Sequence, residues 1–184
     1  MSREPKRIGR QRIRPVDIDG LNYDQEHVLG NVPKVNGKLP NIYSTLSYHP
    51  SLLQRLMWLG AAFQDGHLTA TDRELVVLTV ASMCNSRYVL EEHAEIASRV
   101  GLTDDQIEAF RRDTAEASSS IWNGHERNLI TFVRDLIEDD AIDDCSWNSI
   151  SFCGDPVCML ELISLIGFYR MMADVANAVR LEMY

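Results

Sequence analysis

The stretch TDRELVVLTVASMCNSRYVLEEHAEIASRVG, residues 71–101, decides the fold of this chain. It begins with Thr71-x-x-Glu74, which predicts a capping box in which the glutamate binds back to the backbone N–H of the threonine. The apolar run that follows predicts a helix to about Met83. A second helix is predicted from about 87 to 100. The two helices are separated by a short turn and are expected to pair.

Helical periodicity continues on both sides of this stretch. The sequence predicts further helices over about 23–29, 50–65 and 129–137. Another helix is predicted to begin at a Thr103-x-x-Gln106 capping box, and a long last helix is predicted from Pro156 to about 180. No strand pattern competes with them. The prediction is therefore an all-α fold of about six to eight helices, with an extended N-terminal arm over 1–38 and a helical domain over 39–184.

Composition and charge narrow the function classes. The chain has 184 residues, 45% of them hydrophobic, which is typical of a soluble globular protein. Its net charge of −9 repels phosphate backbones and anionic membrane surfaces, so neither nucleic acid nor a membrane is expected as a partner. The first 14 residues carry +5 and the remainder −14. We expect this basic segment to lie across an acidic patch of its own or a neighbouring subunit.

The four cysteines, at positions 84, 145, 153 and 158, form no C-x-x-C pair and match no familiar zinc spacing. Neither a metal nor another cofactor is therefore expected. Residues 1–14 lack the apolar region of a secretory leader, so the expected location is the reducing cytoplasm. The most apolar stretch, 158–172, is interrupted by charged residues and is shorter than a membrane-spanning helix, which favours a buried helix. Glu161 within it needs a partner, for which Arg73 or Arg170 of the same or a neighbouring subunit is expected.

His93 is the strongest candidate for chemistry. It shares one face of its predicted helix with Val89 and Ile96, and three glutamates and an arginine populate the opposite face. A lone inward histidine is usually a core residue, and Glu74 already has a predicted structural role as a cap. If the two helices meet, however, a partly buried carboxylate beside an imidazole makes a proton-transfer pair.

The spacing Glu74-x11-Ser86-x2-Val89-x3-His93 resembles that of the carboxymuconolactone decarboxylase and alkyl hydroperoxidase D (AhpD) superfamily, whose peroxidase branch has a Glu, two Cys and a His at these intervals. Further segments look like the 180-residue members of this family. They are NIYSTL at 41–46, HP at 49–50, LTATDREL at 68–75, Tyr88 five residues before His93, GLT at 101–103 and LELISLIGFY at 160–169. The resemblance covers about 41–177 and implies an AhpD-like helical fold.

Two departures limit what the resemblance implies. Ser86 and Val89 stand where the peroxidase branch has its cysteines, so the two-thiol disulfide chemistry of that branch cannot operate. Tyr88 is followed by Val89 rather than by the glutamate of members with a Tyr-Glu-Trp segment. The motif that remains is Glu74 and His93, with Tyr88 and Ser86 as candidate substrate-binding groups.

We therefore expect an enzyme that performs metal-free decarboxylation or a related acid–base proton transfer (isomerisation, cyclisation or lactone chemistry) on a small carboxylated or lactone metabolite. His93 would be the acid/base and Glu74 its orienting partner. One alternative is a single-thiol peroxidase working through Cys84, whose pKa a helix N-terminus could depress. Another is a non-catalytic ligand-binding protein, which Val89 favours.

The sequence also predicts that the chain assembles with copies of itself. The last helix is too apolar all round for one side to face water, and the arm has nothing of its own to pack on, so a homo-oligomer is predicted. Members of the family that the chain resembles are usually dimers, trimers or hexamers.

Overall fold

The fold is helical throughout the part of the chain that the computed structural model describes, residues 10–34, 37–138 and 141–183. Within these ranges it has nine α helices, one short 3₁₀ helix and no β-strand. The α helices are α1 (Tyr23–Leu29), α2 (Asn41–Leu46), α3 (Pro50–Gln64), α4 (Ala70–Met83), α5 (Arg87–Arg99), α6 (Asp104–Arg111), α7 (Gly124–Glu138), α8 (Asp144–Ser149) and α9 (Pro156–Val179). The all-α prediction is confirmed. The short helices α2 and α8, which periodicity does not reveal, bring the number one above the predicted range.

The described residues form two compact units, one from Met1–Gly60 with Val175–Tyr184 and the other Ala61–Asp174. The first unit has an apolar cluster in which Leu53 of α3 is fully buried and residues of α1 pack against it. Arg12 donates from its backbone N–H to Val179 O (2.8 Å) and from Nη1 to Ala178 O (2.9 Å). These carbonyls end α9 and have no partner within the helix, so a guanidinium stabilises them.

The arm predicted over 1–38 includes residues of this cluster, because Val28 and Leu29 are buried in it. It also contains the 3₁₀ helix Ile18–Gly20 and helix α1, whose bounds are those that the sequence predicts. Residues 1–9, which hold three of the six basic residues of this segment, lie outside the described residues. The predicted domain boundary at residue 38 and the docking of the basic segment therefore stay predictions.

Helix α4 is the centre of the second unit. It packs against α5, α6 and α7, and every residue from Arg73 to Ala81 is buried. A helix that contacts neighbours on all sides has no solvent face, which explains why its sequence is apolar without an amphipathic period. Any polar group on α4 must therefore be satisfied by the protein itself.

Glu161 of α9 binds the loop that leads into α4, rather than the arginine that the sequence predicts. Its carboxylate accepts the backbone N–H groups of His67 (2.7 Å) and Leu68 (3.1 Å). A Cβ at Gly66 would overlap this carboxylate, so glycine is needed where the loop passes it. Glu161 is thus a structural residue that joins α9 to the start of the central helix.

Helix α9 is the most apolar element. An 18-residue window of its 24 residues has a mean hydropathy of 1.4, so by length and composition alone it could cross a membrane. The same test is passed by core helices of soluble proteins, and Leu162 and Leu165 are fully buried. Another side of α9 exposes Val157, Leu160 and Met171. The helix therefore contributes to the core with one side and presents apolar groups at the surface with another.

Replacing Glu161 with Ala should lower the free energy of unfolding by about 2 kcal/mol, because two loop N–H groups lose a charged acceptor. Gly66→Ala should have an effect of similar size, since the added Cβ displaces the same carboxylate. Urea denaturation measures both. The control is Arg112→Ala, which removes an exposed ion pair with Glu108 and should change stability by less than about 0.5 kcal/mol. A Glu161→Ala variant no less stable than this control would contradict the assigned role.

Candidate functional site

A carboxylate and an imidazole meet between α4 and α5. Oε2 of Glu74 lies 2.7 Å from Nδ1 of His93. The Glu74 side chain is 1% exposed and that of His93 is 15% exposed. The structure therefore brings together the two residues that the sequence singles out, at hydrogen-bond distance and largely out of water.

Glu74 is available for this contact because it does not cap its helix. The predicted Thr71-x-x-Glu74 capping box is wrong: α4 begins two residues earlier, with Thr69 as N-cap, whose Oγ1 accepts the backbone N–H of Asp72 at 3.1 Å. Thr71 instead donates its hydroxyl to Val100 O at 2.7 Å. An earlier start places Glu74 beyond the first turn of α4, where its side chain can reach the neighbouring helix.

A tight turn brings α5 back alongside α4. Asn85 has a left-handed backbone (φ 50°), and its N–H donates to Ser82 O while the N–H of Ser86 donates to Ala81 O. These are the two hydrogen bonds of a Schellman motif, and asparagine tolerates the left-handed conformation better than most residues. Because the connection is so short, α4 and α5 run antiparallel and their polar side chains face each other.

Arg73 is the charged group next to this pair. Its Nε lies 3.9 Å from Oε1 of Glu74, and its side chain is 9% exposed. Its Nη1 donates to Phe63 O at 3.1 Å. A carboxylate removed from water is costly unless charge or hydrogen bonds compensate it, and Arg73 and His93 supply both. The sequence predicts Arg73 as a candidate partner of Glu161, and its contact with Glu74 is a finding of the structure.

The other side of the imidazole is bounded by Tyr169 of α9. The two rings meet edge to face with their centroids 4.9 Å apart. No local sequence pattern links Tyr169 to a histidine on another helix, so this contact is a finding of the structure. Nε2 of His93 makes no hydrogen bond among the described residues. The ring is therefore fixed through Nδ1 and by the tyrosine, and Nε2 stays free for a reacting group.

The two candidate substrate-binding groups are both buried. Tyr88 is 6% exposed and Ser86 is 1% exposed. The hydroxyl of Ser86 has no hydrogen-bond partner in the described part of the chain, although Ser86 is the N-cap of α5. Contact of either residue with a substrate stays a prediction.

Cys84 does not have the environment that the sequence predicts for a reactive thiol. Partial burial raises the pKa of the Cys84 thiol above its ordinary range, and the negative charge of Asp174 adds to this, while Arg170 opposes it. The expected helix N-terminal effect is absent because Cys84 is the C-cap of α4, at the negative end of that helix dipole. The prediction of a depressed thiol pKa is therefore wrong.

A second histidine–carboxylate pair, which the sequence does not reveal, lies elsewhere in the same unit. Nε2 of His125 is 2.9 Å from Oδ1 of Asp72, and Nδ1 is 3.3 Å from the hydroxyl of Ser151. The His125 side chain is 34% exposed, so this pair is far more open to water than that of Glu74 and His93. No group of three or more His, Cys, Asp or Glu side chains that could hold a metal occurs among the residues that the structure describes.

Two open clefts lie beside α5, on the side that faces α6. One, of about 560 Å³, is lined mainly by charged residues of the two helices. The other, of about 460 Å³, lies at the turn between α4 and α5 and includes Ser86 and Arg87 in its wall. His93 lines neither cleft.

Comparison with known proteins gives a family match over part of the chain. Residues 50–121 match the model of the carboxymuconolactone decarboxylase family, a range that contains both Glu74 and His93. A search of curated proteins found no significant match. Several solved structures share the fold at low sequence identity.

A protein of unknown function from Agrobacterium tumefaciens, for which an AhpD-type antioxidant role has been suggested, has a TM-score of 0.66 at 16% identity, over 76% of this chain and 94% of its own. The debrominase Bmp8 has a TM-score of 0.72 at 16% identity, over 94% of this chain and 91% of its own. A peroxidase-related protein from Silicibacter sp. TM1040 has a TM-score of 0.69 at 15% identity, over 79% of this chain and 77% of its own. The chain is therefore similar to the carboxymuconolactone decarboxylase family over residues 50–121, and it shares its fold with these solved structures.

Proposed function

We propose that this protein is an enzyme that adds or removes protons at carbon on a small carboxylated or lactone substrate, by decarboxylation or by a related isomerisation, cyclisation or lactone opening. The observation that carries the proposal is the state of His93. Its Nδ1 is held by the buried Glu74 at 2.7 Å, and its Nε2 is without a partner among the described residues. An oriented imidazole with one free nitrogen is the usual design of a general acid or base.

The two protonation states of His93 serve the two halves of such a reaction. As a neutral ring with the proton on Nδ1, it offers the Nε2 lone pair to accept a proton from carbon. As an imidazolium, it donates from Nε2 while Glu74 balances the charge. In decarboxylation, the bond between the α-carbon and the carboxylate breaks, its electron pair forms an enolate, and carbon dioxide leaves. Nε2–H then stabilises the enolate oxygen and delivers its proton to carbon.

The structural neighbours do not choose between these reactions. They include a debrominase, which was also solved as a cysteine-to-alanine variant with 2,3,4-tribromopyrrole, and a peroxidase-related protein. Identities of 15–16% show the fold alone, and one fold supports several chemistries. What favours acid–base chemistry here is this chain's own residues, because Ser86 and Val89 occupy the positions of the peroxidase cysteines.

Replacing His93 with Gln should reduce turnover by at least 100-fold, because glutamine cannot exchange a proton near neutral pH. Glu74→Gln should reduce it by at least tenfold, since an amide cannot balance an imidazolium. The measurement is carbon dioxide release or substrate loss over a panel of β-keto acids and carboxylated lactones. Full activity in both variants would refute the proposal. Binding by the wild type without any conversion would favour a non-catalytic ligand-binding protein.

The matched control for these variants is His125→Gln. It removes a histidine that is also paired with a carboxylate, because Nε2 of His125 lies 2.9 Å from Oδ1 of Asp72. The His125 side chain is 34% exposed and lies outside the site. Its turnover should stay within about twofold of the wild type. Nitrogen NMR of His93 gives a readout that loss of fold cannot imitate, because Glu74→Gln should abolish the preference for a proton on Nδ1.

The single-thiol alternative predicts a different result at Cys84. Since the pKa of Cys84 is raised, its thiolate fraction at any pH lies below that of an ordinary cysteine. Iodoacetamide should therefore leave Cys84 unmodified near pH 6, and at pH 8 it should modify Cys84 several-fold more slowly than the exposed Cys145. Peptide mass spectrometry separates the two sites. Rapid labelling of Cys84 at pH 6 would restore the thiol hypothesis.

We also infer that the chain forms a homo-oligomer through the exposed apolar side of α9. Leu160 is 66% exposed and Val157 is 52% exposed on this side. Exposed apolar groups in a row are commonly covered by a protein partner. Sedimentation should give an assembly larger than the 20.9 kDa chain, and Leu160→Glu should dissociate it, whereas Leu52→Glu, at an exposed leucine of α3, should not. A monomeric wild type would contradict this inference.

A further inference from the structure

The cleft at the turn between α4 and α5 has the chemistry of a ligand site separate from His93. Its volume is about 460 Å³, and its walls include Ser86, Arg87 and Leu90 of the α5 region with Phe110 and Arg111 of α6. These residues lie on the α6-facing side of α5, and His93 is not among them. Whatever binds there is held by groups other than Glu74 and His93.

The N-terminus of α5 opens into this cleft without a side-chain cap. Ser86 is the N-cap residue, yet its side chain makes no capping hydrogen bond. The first N–H groups of a helix have no partner within it and carry a partial positive charge, so they attract an anion. Helix α5 has 13 residues, long enough for its dipole to act at this end.

The hydroxyl of Ser86 is an independent sign of a missing ligand. Ser86 is 1% exposed, lines the cleft, and its Oγ has no hydrogen-bond partner among the described residues. Burying a hydroxyl without a partner costs about 1–3 kcal/mol. A ligand atom in the cleft that accepts this hydroxyl, after a small rotation of the side chain, would remove that cost.

One arginine of the cleft, Arg87, has no ion-pair partner among the described residues. Arg111 is held by Glu91, with Nη2 and Oε2 2.9 Å apart. Asp113 accepts the hydroxyl of Ser82 at 3.4 Å. Arg87 is exposed, and no hydrogen bond or ion pair engages it in the described ranges. The larger neighbouring cleft differs, because four acidic residues against two arginines line it.

We propose that the cleft binds a small monocarboxylate, with its carboxylate between the α5 N-terminus, the Ser86 hydroxyl and the Arg87 guanidinium, and its apolar body against Leu90 and Phe110. Guanidinium forks match carboxylates with two parallel hydrogen bonds, and helix N-termini add further donors. One free cation suits one negative charge, whereas a dianion would also meet Glu91 and Asp113. This proposal does not rest on the proposed reaction at His93.

Benzoate is a suitable probe, because it combines a single carboxylate with an apolar ring. In an amide NMR titration of the full chain, benzoate should shift the signals of Ser86 and Arg87 saturably. Benzyl alcohol, of similar size but uncharged, should bind at least tenfold more weakly. Benzoate that does not bind, that binds no better than benzyl alcohol, or that shifts only signals elsewhere would overturn the proposal.

Variants locate the contacts. Arg87→Gln should weaken benzoate binding about tenfold, since a hydrogen bond to a charged group contributes about 1.5–3 kcal/mol. Arg99→Gln is the control, because Arg99 lies at the far end of the same helix and forms an exposed ion pair with Glu95. It should bind benzoate like the wild type. An unchanged dissociation constant for Arg87→Gln would also overturn the proposal.

Ser86→Ala provides a variant that should fold well, because it removes an unsatisfied buried hydroxyl. It should bind benzoate several-fold more weakly than the wild type. His93→Gln should bind benzoate normally even though turnover is lost. The cleft and the proposed reaction can therefore fail or succeed independently.

Discussion

The buried carboxylate of Glu74 is the constraint on which the second unit depends. A charge on a helix that has no solvent face must be compensated within the protein, and the compensation comes from Arg73 on the same helix and His93 on the next. This requires α4 and α5 to be antiparallel and in one register, which the Schellman turn at Asn85 provides. The site and the fold of this unit are therefore parts of one arrangement.

The two histidine–carboxylate pairs of this unit show how burial changes the meaning of one contact. His93 with Glu74 and His125 with Asp72 have similar distances, 2.7 and 2.9 Å. In the first pair the carboxylate is 1% exposed, so the interaction acts in a low dielectric and orients the ring firmly. The second pair is partly hydrated, and water weakens it. Chemistry is accordingly proposed at the first pair and not at the second.

Ser86 and Val89 stand where the resemblance to the peroxidase branch places its cysteines, and they have consequences of their own. Val89 is 3% exposed, so it contributes apolar packing where that branch has a thiol. Ser86 keeps a polar atom at the head of α5 but leaves it without a partner in the described structure. The remaining cysteine nearby, Cys84, lies at the C-terminal end of α4, where the helix dipole does not favour a thiolate. The proposals of proton transfer and of anion binding depend on the polar groups that remain, Glu74, His93 and Ser86.

The sequence by itself determined the all-α class, the bounds of α1 and the capping box of Thr103 and Gln106. Both reciprocal hydrogen bonds of this capping box are present in the structure. It also singled out Glu74 and His93 through their spacing on two adjacent helices. These features depend on residues within a few turns of one another, where hydrogen bonding and periodicity are local.

Only the tertiary structure decided the true N-cap of α4, the backbone partners of Glu161, the contact of Tyr169 with His93 and the raised pKa of Cys84. Each of these depends on which distant segments meet and on how far water is excluded when they do. A local sequence pattern predicts neither these tertiary contacts nor the exclusion of water, because both arise from packing of the whole unit.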